Sequence, residues 1–415
     1  QLSVCLILRD QRFIRKQLKL SKNYDSKFER KKLFNNLTSL LVPEMGVPEG
    51  RLIKYISSSM NANLSQCLYH NTKDTVFSLL DEHSCTSSQI PSKEEFVLDG
   101  HDQREVWTVA FSNSGNYLAS SGTDGSVIVW SVYTGEMHRK SMIKGTESSE
   151  KNEIFLPAIQ IVWNSDDSHL LLACEDPSVR CLKMTKAREM SLYIYNEHTD
   201  AVNTVGWLND DGKFLSGSCD KRIFLWSSKG QVLATWGGEV ISHITVHPEG
   251  SMFTAIAAGD ALIRFRVGKE DGKDALTEIT QIGKGSIRYP EAMTYIHQIS
   301  KSDCLLLQAS GNSDNLALID SNGAVLKYFE GLVQERFQVR ACVGGRDDRF
   351  VSAGGFDGKV KIWNRSQSNA LEELVGHSST VNCVSWSKSD IYKLASCSDD
   401  GTVRIWTALC CNKGV

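Results

Sequence analysis

"SDDGTVRIW", residues 398–406, is the last of four copies of one phrase, after "GTDGSVIVW" at 122–130, "SCDKRIFLW" at 218–226 and "GFDGKVKIW" at 355–363. In each copy an Asp stands six residues before a Trp, with apolar residues at the third and fifth places after the Asp. Val127 and Val129, Ile223 and Leu225, Val360 and Ile362, and Val403 and Ile405 are those pairs. A period of two belongs to a β-strand, whose successive side chains point to opposite faces. The runs just upstream, "NYLASSG", "KFLSGS", "RFVSAGG" and "YKLASCS", are strand-like as well and end in small residues that suit a tight turn carrying the Asp.

A second fixed point precedes three of the phrases: Gly100-His101, Glu197-His198 and Gly376-His377. His101 to Asp124 and His377 to Asp400 are each 23 residues, and His198 to Asp220 is 22, so His and Asp delimit one folded unit. Between them "VWTVAFS", "VNTVGWL" and "VNCVSWS" alternate again. Each unit therefore reads as a small antiparallel sheet, which leaves edges and an apolar face uncovered unless copies pack face to face around a ring.

The tryptophans count the copies. Trp363 to Trp406 is 43 residues, one unit of the roughly 40 to 45 residues expected for a WD-repeat blade. Trp130 to Trp226 is 96, room for two, and Trp226 to Trp363 is 137, room for three. With the first unit, seven blades result. The silent blades keep eroded phrases: "EDPSVRCL" with Asp176 and Leu182, "GDALIRFR" with Asp260 and Arg266, and a worn copy around Asn315 that aligns in two ways. The sixth unit has Gly331-Leu332 where Gly-His would fall. The expected fold is all-β: a seven-bladed WD-repeat β-propeller over 94–407, preceded by a short α-helical segment in 1–66 and a connector at 67–93, and followed by a flexible tail at 408–415. Little chain remains after Trp406 for an outer strand of the last blade, so Glu95 to Leu98 are expected to supply it and close the ring.

In this repeat class the His, a strand Ser, the Trp and the Asp form a hydrogen-bonded set that satisfies buried polar groups and pins the turns. The sets are His101, Ser120, Asp124 and Trp130; His198, Ser216, Asp220 and Trp226; and His377, Ser396, Asp400 and Trp406. A Ser-His-Asp hydrolase is the competing reading, but a catalytic triad occurs once, beside an oxyanion site, whereas these sets recur at blade spacing.

A formal net charge of -3 and a sequence pI near 6.4 give no basic surplus of the kind a general nucleic-acid binder carries. The local exception is residues 9–32, with ten Lys or Arg against three Asp or Glu, which reads as a solvated helix face. The twelve cysteines show no C-x-x-C pair or regular spacing, and so read as reduced thiols; Cys174, Cys181, Cys219, Cys342, Cys383 and Cys397 lie inside apolar alternating runs. The same lack of spacing removes RING and finger modules. Cys410 and Cys411 fit no prenylation box, because Asn412 stands fourth from the end. No apolar run is long enough to cross a bilayer. The first residue is Gln, so an N-terminal portion is expected to lie upstream. Leu33, Leu37, Leu40 and Leu41, then Ile53, Ile56, Met60 and Leu64, fall at helical spacing on either side of "PEMGVPEG". These helices must cover their apolar faces against the ring, missing residues or a partner.

Taken together, "LVPEMGVPEGRL", "CLYHNT", "IPSKEEFVLDGH", "RACVGG" and "VGHSSTVNCVSW" followed by "SDDGTVRIW" resemble the WD-repeat subunit of the CTLH, or GID, E3 ubiquitin ligase complex. The likeness runs from about Phe28 to Trp406. In that family LisH, CTLH and CRA regions precede the ring and mediate dimerisation and assembly, and the ring recruits substrates or cofactors. This chain carries at most the end of the CRA region, so self-association through the N-terminal regions is expected to lie mostly outside it.

The resemblance implies a non-catalytic scaffold without cofactor or metal, binding other ligase subunits and protein substrates, in cytoplasm and nucleus. No small-molecule substrate, nucleic acid or membrane is expected as a partner. The alternative is a WD-repeat scaffold in a transcriptional co-repressor or RNA-processing complex. No Walker loop, H-E-x-x-H or G-x-S-x-G stands in the chain. Propellers bind through the loops beside the His and the Asp, so the expected partner-binding residues are Arg104, Glu105, Asp200, Glu335, Arg336, Phe356, Ser379 and Asp399. Tyr133 to Glu153 reads as an inserted mobile loop.

Overall fold

The computed structural model describes residues 51–72, 85–145, 154–185, 189–208, 212–258, 261–270, 272–282, 293–299, 304–309, 316–334 and 339–409. The chain divides into two compact units, Gln1–Gln66 and Cys67–Val415. In the first, helix α1 spans Arg51–Gln66. It begins just beyond Pro48, where the Ile53, Ile56, Met60 and Leu64 periodicity sets in. The helix expected around Leu33 to Leu41 and the basic stretch 9–32 lie outside the described residues.

The second unit is a seven-bladed β-propeller of seven four-stranded antiparallel sheets. Blades 1 to 6 take residues 106–142, 158–195, 202–237, 241–282, 293–328 and 342–375, each with its strands in chain order from the inside outward. Blade 7 takes its three inner strands from 381–408 and its outer strand from Pro91–Asp99. Alternation explains the packing, since each strand sends one set of side chains to each neighbouring blade. Seven apolar clusters result, one for each interface. The cluster between blades 7 and 1, for example, joins Val106, Leu118 and Trp130 to Cys397, Val403 and Ile405.

Polar links run between blades as well. Six of the seven innermost strands carry a register shift near their start, as between Val202 and Thr204 or Val381 and Cys383. Side chains of the preceding blade meet backbone N–H groups of these strands: Gln160 accepts from Val205 N at 3.0 Å, Thr204 from Ile244 N at 3.0 Å, and Thr245 from Gln298 N at 3.0 Å. A buried amide would otherwise cost about 1–3 kcal/mol, so these bonds stabilise the ring at its crowded centre.

The closing strand is longer than Glu95–Leu98. It pairs from Pro91 opposite Ala408 to Asp99 opposite Thr402, and Glu94 and Glu95 form ion pairs with Arg404 and Lys393. Within the connector, residues 67–72 are anchored. The Asn71 amide donates to Gln89 O at 2.9 Å and Ile391 O at 3.0 Å and accepts from Arg346 N at 2.8 Å, which fastens 67–72 to blades 6 and 7.

One expectation is corrected: the stretch from Tyr133 to Glu153 is not all insertion, since Met137–Met142 is the outer strand of blade 1. Its sequence, MHRKSM, lacks an apolar alternation because an outermost strand keeps little of its surface in the core. Residues 146–153, Asp260, Asn315 and the tail beyond Leu409 lie outside the described residues.

Candidate protein-docking face

The recurrent polar residues assemble into three sets. In blade 1, Trp130 Nε1 donates to Ser120 Oγ at 2.8 Å, Ser120 lies 2.8 Å from His101 Nε2, and His101 Nδ1 lies 3.1 Å from Asp124. In blade 3 the same steps, through Trp226, Ser216, His198 and Asp220, are 2.8, 2.7 and 2.7 Å. In blade 7, through Trp406, Ser396, His377 and Asp400, they are 2.9, 2.8 and 2.9 Å. The chemistry fixes the direction of each chain. An indole nitrogen only donates, so the Ser oxygen accepts from it and gives its own proton to Nε2, which leaves Nδ1–H to donate to the carboxylate.

The carboxylates in turn accept backbone N–H groups two residues on, Ser126 for Asp124 at 3.1 Å and Thr402 for Asp400 at 2.9 Å. Burial alone would raise the Asp124 carboxyl, but the hydrogen bonds from His101 and Ser126 outweigh it and bring it down to about 2. Asp400 is lowered in the same way by His377 and Thr402. Burial lowers His198 below its ordinary value, against the pull of Asp220. The His, Ser, Trp and Asp of each set are one another's hydrogen-bond partners. The sets tie each incoming loop to the turn that carries the Asp.

Blades 2 and 6 lack the His and hold their Asp differently. Arg180, fully buried, grips Asp176 through two nitrogens at 2.6 and 2.5 Å and donates to Lys144 O in the loop entering the blade. Lys361 lies 3.8 Å from Asp357 and donates to Gly331 O. Each cation stands four residues after its Asp. That spacing was available in the sequence and marks a second way of pinning the turn. Trp163 and Trp207 were also passed over, and their Nε1 groups donate to Ala110 O and Val162 O of the preceding blade at 3.0 and 3.2 Å.

These turns and incoming loops all lie at one end of the propeller, because in an up-and-down sheet the connections entering the first strand and joining the second to the third share an end. Arg104, Glu105, Asp200 and Ser379 sit in the incoming loops of blades 1, 3 and 7, and Phe356 and Asp399 in the turns of blades 6 and 7. Arg104, Glu105 and Asp200 are exposed, Ser379 and Asp399 half-buried, and Phe356 is 39% exposed beside Val333 at 45%. Glu335 and Arg336 lie outside the described residues.

Only some of these residues converge. Glu105 and Asp399 share a cavity of about 500 Å³ at the mouth of the central channel, lined also by Trp107, Glu175, His243 and Arg340. The Trp107 indole donates to Glu105 at 3.2 Å. Burial and the neighbouring charges of Glu105 and Asp400 raise the Asp399 carboxyl, against a hydrogen bond from Asn382. An incoming cation would offset the burial that raises this carboxyl and, secondarily, the repulsion from Glu105 and Asp400. Deeper in, Arg340 donates to Ile159 O, and at 3.4 Å to Thr108 Oγ1, across the channel. Glu175, Trp107 and Arg340 were not foreseen, because their convergence is a property of the ring and no local motif marks it. Among the described residues no group of three or more His, Cys, Asp or Glu is placed to hold a metal ion.

The family description "WD domain, G-beta repeat" matches residues 92–131, 189–227, 332–364 and 368–407. The chain is 33% identical to the WD repeat-containing protein WDS homolog of Arabidopsis thaliana, over 91% of this chain and 69% of that protein. It is 29% identical to the WD repeat-containing protein 26 homolog of the same plant, over 91% of this chain and 61% of that protein. It is 28% identical to GID complex subunit 7 of Schizosaccharomyces pombe, over 90% and 70%. The chain thus spans about two thirds of the length of these relatives.

Proposed function

The chain belongs to the WD-repeat family that includes the WD repeat-containing protein 26 homologues and GID complex subunit 7, and from that membership we propose that it is a non-catalytic recruiting subunit of a multi-subunit E3 ubiquitin ligase. It presents protein substrates or cofactors on the propeller face that carries the His and Asp loops. The observation that carries this reading is the channel mouth, where Glu105, Glu175 and Asp399 line one cavity with Trp107. Carboxylates gathered beside an indole suit a cationic protein segment, whose Lys or Arg gains both charge neutralisation and a stacking surface. Phe356 and Val333 add an apolar contact at the rim.

The adaptor contributes proximity. A substrate held at the mouth presents its lysines at high effective concentration to a ubiquitin-charged enzyme carried by other subunits, and the propeller itself makes and breaks no bond. The test is affinity purification of the tagged protein from cells with mass spectrometry, beside a Glu105→Lys, Glu175→Lys variant. RING-bearing ligase subunits are expected with both, and substrates only with the unaltered protein. Co-purification with chromatin or RNA-processing proteins in place of ligase subunits would overturn the reading.

A further inference from the structure

Blade 7 carries two cysteines that face each other. Cys383 on the innermost strand, Val381–Trp386, is the direct cross-strand partner of Cys397 on Lys393–Ser398. Directly opposed residues of an antiparallel pair have Cα atoms about 4.5–5.5 Å apart, inside the roughly 4.4–6.8 Å range that a disulfide spans. The pairing thus places the two cysteines at a Cα spacing that a disulfide can span. We propose that Cys383 and Cys397 form a peroxide-sensitive dithiol, in which Cys383 is the attacking sulfur and Cys397 the resolving one.

The surroundings assign the roles. Cys383 is 5% exposed and Cys397 0%, and the neighbours Asn382 and Ser385 line two separate cavities. Of the two sulfurs, Cys383 is therefore the more accessible to a small oxidant. The adjacent Cys397 thiol and the positive charge of Arg340 lower the Cys383 thiol against its burial, while burial and the adjacent Cys383 push Cys397 far up. As a thiol, Cys383 donates to Val109 O and Val384 O, each at 3.7 Å, and must give up that proton before it attacks. Burial instead pushes Cys85, Cys174, Cys181 and Cys342 up to about 12, which keeps these thiols protonated and inert.

The chemistry balances with hydrogen peroxide as the oxidant. The Cys383 thiolate attacks one peroxide oxygen, the O–O bond breaks and hydroxide leaves, giving a sulfenic acid. The Cys397 sulfur then attacks the sulfenic sulfur, the S–O bond breaks and the departing oxygen takes the Cys397 proton to leave as water; the proton released when Cys383 ionised neutralises the first hydroxide, so two thiols and one peroxide yield one disulfide and two waters. The bond joins the first two strands of the blade that closes the ring.

The experiment exposes the full reduced chain to hydrogen peroxide, blocks remaining thiols with iodoacetamide in denaturant and maps tryptic peptides without reduction. Cleavage between the strands leaves Cys383 in 366–388 and Cys397 in 394–404, so only a disulfide joins them. That cross-link is expected before any other cysteine is modified. In Cys397→Ser it should vanish while Cys383 becomes reactive to dimedone. Alkylation of both cysteines in peroxide-treated unaltered protein, whatever the variant does, overturns the proposal. So does a dimedone-silent Cys383 in a folded variant.

Discussion

Blades 2 and 3 are neighbours that hold the same kind of turn with different chemistry. In blade 3 a neutral chain, Trp226 to Ser216 to His198, ends on Asp220, and its members come from two strands and the incoming loop. In blade 2 one guanidinium, Arg180, does both jobs, binding Asp176 and the incoming backbone at Lys144. What persists is the buried Asp and the need to neutralise or solvate it from within. The two arrangements differ in how they should fail. The neutral chain spreads its cost over several weak links, whereas the ion pair concentrates it in one.

The largest effect tests the frame that both blades share. Removal of residues 91–99 leaves blade 7 with three strands and an open edge, with Glu94 and Glu95 lost as partners of Arg404 and Lys393. Blades 2 and 3 are expected to melt together in such a chain, because a ring transmits the loss of closure to every interface. Thermal unfolding followed by circular dichroism should show a steep fall in melting temperature, and an unchanged melt would refute the role of the strand in closure.

Next comes the contrast itself. Arg180→Met strands the Asp176 carboxylate in the core and should cost about 3–5 kcal/mol, most of it recovered in the Asp176→Leu, Arg180→Met double variant. His198→Ala in blade 3 removes a neutral donor and leaves Asp220 the backbone N–H groups of Thr199 and Arg222, and should cost about 1–3 kcal/mol. Equal losses by denaturant titration would erase the distinction drawn between the two blades.

How much of this could be read beforehand follows the same division. The blade number, the three polar sets and the source of the closing strand were legible, because Trp, His and Asp recur at fixed spacing and each recurrence checks the others. Blade 2 reads from sequence only as a worn phrase, since its stabilising group is a single Arg180, whose four-residue spacing from Asp176 is shared by Lys361 and Asp357 but involves none of the recurrent Trp or His. The outer strand Met137–Met142 was taken for a loop because its side chains face water and carry no period. At the candidate site, Glu105 and Asp399 were expected from loop position, while Glu175, Trp107 and Arg340 meet only when seven sheets close. Such convergence depends on residues far apart in the chain.

Acid should sharpen the comparison by a smaller amount. Asp124 titrates near 2 in the folded protein against 3.8 ordinarily, so the folded state binds its proton later than the unfolded chain does. That contribution, about 2 kcal/mol, is whole above pH 4 and is lost as pH falls through 2. His198 is also lowered, from 6.5, so the unfolded chain takes up a proton first and stability declines as pH falls below about 6.5. Urea midpoints measured from pH 7.5 to pH 3 should fall in both windows. Asp124→Asn should flatten the lower and His198→Asn the upper; a variant that leaves its window unchanged shows that another group titrates there.

The smallest effect on stability falls at the rim, where the turn of blade 6 bears Phe356 in place of the polar Thr123, Cys219 and Asp399 of its counterparts. Its backbone N–H is already held by Val333 O at 2.9 Å, so the turn does not depend on the ring, which is 39% exposed. Phe356→Ala should therefore change stability by less than about 0.5 kcal/mol. If the aromatic is an anchor for the recruited protein, the same change should weaken capture about tenfold, the consequence of losing roughly 1.4 kcal/mol of contact. Capture measured by biolayer interferometry separates two roles for this face. Loss at Phe356 with Glu105 variants still binding would move the docking site from the channel mouth to the rim of blade 6, and the reverse would confine it to the carboxylates around Trp107.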